Sequence, residues 1–307
     1  MKITFASLMW GVCCLCAVTP AATAQPVLRS VNPIENAASY MPPGLPSSGV
    51  AQGSIFSVFG TGIGPAAWTE PASFPLPTTL ANRATSAAVA VQVVSAAFGI
   101  FTYGASGVGQ AIATDPAYAI NTIIHTFHPG DVGIIWGTGL GAINASDAGV
   151  PPVGSLPGDV QVYVGNTAAQ VGYHGRSGCC AGLDQIVFTV PQAVDGCYVP
   201  LSVNTAVGTS NFTAIAVSQS GQTCTDSILG NDLVAKLAAG QDVNFGYILL
   251  ENDFLKFVTG STQASNLDLA TATFSHLTGG AAGLAEYGIS SGYCAAVACP
   301  GFSSVVP

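Results

Sequence analysis

Segment 173–178, YHGRSG, brings an imidazole, a guanidinium and a hydroxyl group close together in the chain. Hydrolases that attack an ester or amide bond with a serine activate that serine with a neighbouring base. The attacking serine often lies in a G-x-S-x-G turn between a strand and a helix, whereas Ser177 lies in G-R-S-G-C and lacks the last glycine. The segment therefore predicts a disulfide-pinned binding loop, with His174, Arg176 and Ser177 as candidate contact residues.

Two other groups of side chains could bind a metal or hydrolyse a glycoside. His125 and His128 lie close to Asp131, but on a strand the two histidines would face opposite sides, so we expect surface-loop histidines. Glu251 and Asp253 would share one face of a strand, which is also the pattern of a solvated face. We therefore predict no catalytic residue, no metal site and no cofactor.

Aromatic side chains that stack on sugar rings are the remaining chemical signal. Trp68 lies in a proline-rich loop and is the better surface candidate. Trp136 lies inside an apolar run, so we expect it in the core. Trp68 therefore joins the candidate binding residues.

A glycine-rich phrase occurs twice, as GSIFSVFGTGIGP at 53–65 and as GDVGIIWGTGLGA at 130–142. A phosphate-binding loop would need a helix that begins at the glycines and faces the anion, and no helical pattern follows either copy. We predict instead two strands, 55–59 and 132–136, that end in tight corners where the chain crosses to another sheet. The corner glycines are Gly60, Gly62, Gly64, Gly137, Gly139 and Gly141.

The first 24 residues have the pattern of a secretory signal peptide, with one lysine, an apolar run and an Ala-Thr-Ala cleavage site. Cleavage after Ala24 predicts a secreted, cell-surface or periplasmic protein. No later stretch reaches the ~18 unbroken apolar residues of a membrane helix, so we expect no transmembrane segment after signal removal.

Charge is scarce in this chain. Six Lys and Arg residues stand against 15 Asp and Glu, which gives a net charge of −9. Such a chain has no basic patch with which to bind nucleic acid. We therefore expect its partner to be a surface glycan or another protein.

Six cysteines follow the predicted signal peptide: Cys179, Cys180, Cys197, Cys224, Cys294 and Cys299. An even number in an exported chain indicates disulfides, and the paired spacing of zinc sites is missing. We expect the last two to close a local loop. Because neighbouring cysteines form a strained ring when they join, we expect the adjacent pair to reach Cys197 and Cys224 separately.

Short alternating runs of apolar and polar residues, separated by Gly, Asn and Pro, predict β-strands. The clearest runs are 159–164, 185–190, 198–203 and 212–217. Strands at this spacing without intervening helices indicate an all-β fold of sandwich type.

The two glycine phrases divide the exported chain into a truncated unit 1 (25–101) and a full unit 2 (102–224). Unit 1 lacks several strands of unit 2, so we expect it to lean on unit 2 or on another chain. Region 225–307 is predicted as a smaller β-rich domain whose completeness stays open. Its predicted elements are a helix at 226–239 and strands at 244–250 and 254–259.

Several phrases together resemble a known family. GDVGIIWGTGLG, DVQVYVGNTAAQV, DQIVFTVP and VPLSVNTAVGTSNF resemble the immunoglobulin-like IPT/TIG fold. They are more similar still to the Solibacter-type C-terminal domain of secreted acidobacterial proteins, over residues 31–218. The resemblance implies tandem immunoglobulin-like units in an exported protein, with no established active site to carry over.

The sequence as a whole favours a non-enzymatic exported protein. We expect a structural or adhesive role at the cell surface, or an accessory binding module. The competing hypothesis is an extracellular hydrolase that acts on carbohydrate or ester. A nucleophile and a base within hydrogen-bond reach would favour the hydrolase.

Overall fold

The computed structural model describes residues 26–45, 47–63, 90–146, 152–225, 230–256 and 264–277. The predicted signal peptide, Gly64, Trp68, Cys294 and Cys299 lie outside these ranges. Within them the protein consists of β-strands and one short helix, which confirms the predicted all-β fold class. The described part contains no helix with the length and apolarity needed to cross a membrane.

The strands in the described part of the first hundred residues are short. They are β1 (Val27–Leu28), β2 (Ile34–Asn36), β3 (Val50–Ala51), β4 (Phe56–Val58), β5 (Gly60–Thr61), β6 (Val93–Val94) and β7 (Gly99–Ile100). Three two-stranded pairs form among them, namely β1 with β5, β2 with β4, and β3 with β6. Each pair is too small to be stable alone, so this part depends on contacts with the longer strands.

Longer strands follow. They are β8 (Ala113–Thr114), β9 (Val132–Thr138), β10 (Val160–Val164), β11 (Thr167–Arg176), β12 (Asp184–Thr189), β13 (Gly196–Thr205) and β14 (Thr213–Val217). The main sheet has the order β14-β13-β10-β11-β12-β9-β7, and β8 also pairs with β9. The free side of β14 bonds to the segment before β8, where Ala111 N–H donates to Ala214 O at 2.9 Å. The sheet is therefore nearly closed into a barrel.

Strand β11 joins the two halves of this sheet, and the sequence prediction missed it. Its first residues pair with β10, and residues from Gln170 onward pair with β12. A register shift between Val171 and Tyr173 marks an irregularity where the strand changes partner. Such irregularities bend a strand, which allows one strand to serve both halves.

A single hydrophobic core fills the interior of the main sheet. Inward residues of β12, Ile186 and Phe188, are almost fully buried, as the alternating pattern of this strand requires. Phe98 and Ile100 belong to the same cluster. Residues on both sides of the predicted boundary at 101–102 therefore share one core.

Buried asparagines connect backbone segments that no strand ladder joins. Asn36 donates to Ala97 O at 2.8 Å, and its Oδ1 accepts the N–H groups of Ala38 and Ser39. Asn211 bonds both the N–H and the C=O of Ile100. These side chains satisfy buried backbone groups that would otherwise lack partners.

The helix α1 (Asn231–Ala238) lies within the helix predicted at 226–239, of which residues 226–229 lie outside the described residues. It packs Val234 and Leu237 against a second cluster that contains Cys197 and Cys224. Gly240, the predicted stop, has φ +74°, and its N–H donates to Leu237 O at 3.0 Å. The glycine therefore ends the helix as expected.

After α1 come β15 (Val243–Lys256) and β16 (Ala264–Leu277), which pair along their full length. The sequence predicted two separate strands, at 244–250 and 254–259. This is wrong, because residues 243–256 form one continuous strand. The residues between them continue in the ladder, with Glu251 opposite Leu269 and Asp253 opposite Leu267. Pairing with β16 thus outweighs the weak strand preference of the acidic residues.

Candidate functional site

The second glycine corner, at the end of β9, holds the chain close to segment 95–99. A Cβ atom on Gly137 would collide with the backbone C=O of Gly99, and one on Gly139 with that of Ala97. Gly139 and Gly141 also have φ of +106° and +113°, which other residues rarely adopt. The glycines are therefore required by close packing and by backbone conformation.

A carboxylate from the chain itself occupies this corner. The N–H groups of Gly139 and Leu140 each donate to Asp184 Oδ2 at 2.8 Å. Residues 139–146, which follow β9, contain no helix. The corner thus binds an internal carboxylate in the way that other glycine loops bind an external anion.

Arg176 completes the buried cluster. It forms an ion pair with Asp184 Oδ1, and its Nη2 donates to Gly141 O at 2.8 Å. The two side chains are 1% and 0% exposed. Burial raises the pKa of Asp184 to about 6, against the opposing effects of Arg176 and of the two backbone donors, so the carboxylate is ionised at neutral pH.

Thr138 connects the two copies of the glycine phrase. Its Oγ1 accepts the N–H of Ile55, in the first copy, at 2.8 Å. The same hydroxyl donates to Gly182 O at 2.7 Å. The first phrase is therefore fixed against the corner of the second, which gives the short strands of unit 1 their support.

The residues predicted as a binding loop have different surroundings. His174 and Arg176 lie in β11, and Arg176 is an internal structural residue. Burial lowers the pKa of His174, whose Nδ1 is buried without a hydrogen-bond partner. Ser177 Oγ lies 3.4 Å from Cys179 Sγ and has no imidazole among its described hydrogen-bond partners. The segment therefore does not form the serine–histidine pair of a hydrolase.

The disulfides differ from the expected pairing. Cys179 joins its neighbour Cys180 in the turn between β11 and β12, with a Cα–Cα distance of 3.8 Å. Cys197 joins Cys224 across the second core cluster, at 5.2 Å. The cross-pairing that we expected fails because the adjacent cysteines lie in a different part of the fold from the other two.

His125 and His128 use different carboxylates. His125 Nε2 lies 3.4 Å from Asp115 Oδ2, and His128 Nδ1 lies 3.0 Å from Asp131 Oδ2. The described residues contain no group of three side chains that could hold a metal ion. The two histidines therefore contact different carboxylates at the surface and do not share one site.

Trp136 is only partly buried, and the prediction that placed it in the core is wrong. It lies at an outward position of β9, opposite Gln185. Its Nε1 donates to Thr114 Oγ1 at 3.0 Å. The ring of Tyr118 lies 6.1 Å away, centroid to centroid. The two rings form an aromatic pair at the surface that the sequence prediction missed.

Comparisons with known proteins place the chain in no family. No family model matches it, no curated protein is similar to it, and no solved structure matches it. The resemblance to the IPT/TIG and Solibacter-type domains therefore stays a prediction that depends on the phrases quoted above.

Replacement of Arg176 tests the buried ion pair. Arg176→Met should lower the free energy of unfolding at pH 7 by about 3–5 kcal/mol, because Asp184 is left buried and unpaired. In an Asp184→Asn background the same replacement should cost less than half as much, because no charge is left behind. Urea unfolding of the four chains measures both values.

The control is Arg29→Met, since the Arg29 side chain is 45% exposed although its partner Glu35 is 10% exposed. That change should cost less than Arg176→Met, because the charge of Arg29 is partly solvated whereas that of Arg176 is fully buried. Equal costs for Arg176→Met in the two backgrounds would contradict the assignment of Asp184 as its partner.

The raised pKa of Asp184 predicts how stability varies with pH. Because the folded pKa of about 6 lies above the usual 3.8, the folded protein keeps this proton to a higher pH than the unfolded chain does. The protonated Asp184 therefore contributes to folding stability in full below about pH 4, and this contribution is lost as the pH rises through about 6.

Wild type should accordingly lose stability relative to Asp184→Asn between those pH values, and the Asp184 carboxyl carbon should titrate near pH 6 by NMR. A carboxyl midpoint below pH 4 would show that the hydrogen bonds outweigh burial, contrary to this expectation.

Proposed function

We propose that the chain is an exported, non-catalytic β-domain protein of immunoglobulin-like type that acts at the cell surface as a structural, adhesive or accessory binding module. The predicted signal peptide and the six cysteines support export. The surface partner that this role requires is a glycan or another protein.

The observation that carries the proposal is the internal use of the reactive side chains. Arg176 and Asp184 bond each other and the glycine corner. Ser177 contacts a cystine sulfur in place of an imidazole. A hydrolase needs a nucleophile and a base within reach of one substrate atom, and Ser177 has no imidazole among its described hydrogen-bond partners.

A rigid scaffold with exposed loops suits a binding role. The Arg176–Asp184 pair and the Cys179–Cys180 disulfide bracket the turn between β11 and β12. Loops held by a rigid sheet commonly supply the contacts of binding domains.

Parallel binding and turnover assays on the exported chain test this role. Immobilised polysaccharides and cell-surface polymers should retain the protein, and chromogenic ester and glycoside substrates should be turned over no faster than the background rate. Ser177→Ala and Glu251→Gln should leave both results unchanged within about twofold.

Turnover above background that Ser177→Ala or Glu251→Gln abolishes would overturn the proposal. It would favour the alternative of an extracellular hydrolase that acts on ester or carbohydrate. His174→Gln adds a third variant for the same comparison.

A further inference from the structure

An exposed aromatic ring at Tyr118 is held in place without support from the core. The side chain is 67% exposed. Its ring lies 6.1 Å from the ring of Trp136, with 38° between their planes. Trp136 in turn is fixed at its edge by the hydrogen bond to Thr114. The exposed ring of Tyr118 therefore lies tilted against the partly buried ring of Trp136, where β9 meets the turn that carries Tyr118.

The backbone of Tyr118 is strained, with φ +65°. A non-glycine residue in this left-handed region carries an energetic cost. The turn is nevertheless well held, because Asp115 Oδ1 accepts the N–H groups of Ala117 and Ala119 at 2.8 and 2.9 Å. Since the exposed ring gains little burial in return, its display is better explained by contact with a ligand than by stability.

The turn that carries Tyr118 also holds a carboxylate, Asp115, which contacts His125. Asp115 Oδ2 and His125 Nε2 are 3.4 Å apart, with side chains 28% and 37% exposed. Burial tends to raise the pKa of Asp115, but hydrogen bonds from Ala119, His125 and Ala117 outweigh it and lower the pKa. The ionised carboxylate and the imidazole can therefore bond the hydroxyl groups of a ligand that covers the rings.

The chemistry of this surface selects the class of ligand. A polyanion is disfavoured because the turn that carries Tyr118 holds the carboxylate of Asp115 and the chain has only six Lys and Arg. A protein partner would cover about 800 Å², whereas two aromatic side chains offer about 150–250 Å² each at most. A sugar ring fits, because its C–H face packs on aromatic rings and its hydroxyls bond carboxylates.

We propose that Tyr118 and Trp136, together with Asp115 of the same turn and its contact His125, form an aromatic platform that binds a neutral sugar ring of a polysaccharide. This inference rests on the proposed function and names the ligand class of that binding module. Tyr118 supplies the exposed stacking surface, Trp136 the second ring, and Asp115 the hydrogen-bond acceptor.

The test is affinity electrophoresis and calorimetry of the exported chain with soluble β-glucan, α-glucan, xylan and galactomannan. At least one polysaccharide should bind, and Tyr118→Ala should lower its affinity by at least about tenfold. Tyr118→Phe should keep the affinity within about threefold. Phe274→Ala is the matched control, because Phe274 is 78% exposed and lies outside the platform.

Tyr118→Gly separates binding from folding. Glycine accepts a positive φ without strain, so the urea midpoint of this variant should stay equal to that of wild type or rise, while binding is lost. Asp115→Asn should weaken binding without removing the stacking rings.

The outcomes distinguish the platform from the broader function. Binding that survives Tyr118→Gly unchanged would overturn the platform while leaving a binding module elsewhere on the chain. Failure of wild type to bind any of the four polysaccharides would also overturn it. Release of sugar products from any of them would contradict the proposed function itself.

Discussion

The buried carboxylate of Asp184 is the constraint on which the arrangement of the sheet depends. Its two oxygens receive donors from the glycine corner and from Arg176, so one side chain joins β9, β11 and β12. The corner can close around it only because Gly139 has a positive φ and no Cβ. Removal from water is costly for both charges, and the pair is tolerated because each charged group is hydrogen-bonded.

The buried residues that stabilise the fold are different residues from those exposed at the proposed binding surface. Arg176, Asp184 and Thr138 are buried and bonded to one another or to the backbone. Tyr118 and Asp115, by contrast, lie on a turn at the surface of the same rigid sheet. A module that binds without chemistry needs this combination, since a fixed scaffold lowers the entropy cost of ordering the contact residues on binding.

Much of the fold could be predicted from the sequence, and the exceptions have physical causes. The runs that became β10, β12 and β13 alternate because one face of each contacts the core, whereas β14 is buried along its whole length. Strand β11, TAAQVGYHGR, has small, polar and glycine residues at many positions, so no alternation reveals it. Because β11 was not predicted, the sequence analysis assigned His174 and Arg176 to a loop.

The burial of Asp184 could have been predicted from the sequence. Asp184 has the same alternation as the inward residues Ile186 and Phe188. A charge at a buried position requires a partner. The exposure of Tyr118 could not be predicted from the sequence, since it depends on a turn conformation.

Amide hydrogen exchange at Gly139 and Leu140 tests most directly the central claim that the glycine corner binds the Asp184 carboxylate. We predict exchange as slow as global unfolding allows, unchanged by phosphate or nucleotides. Rapid exchange that slows when either is added would show that the corner binds an external anion.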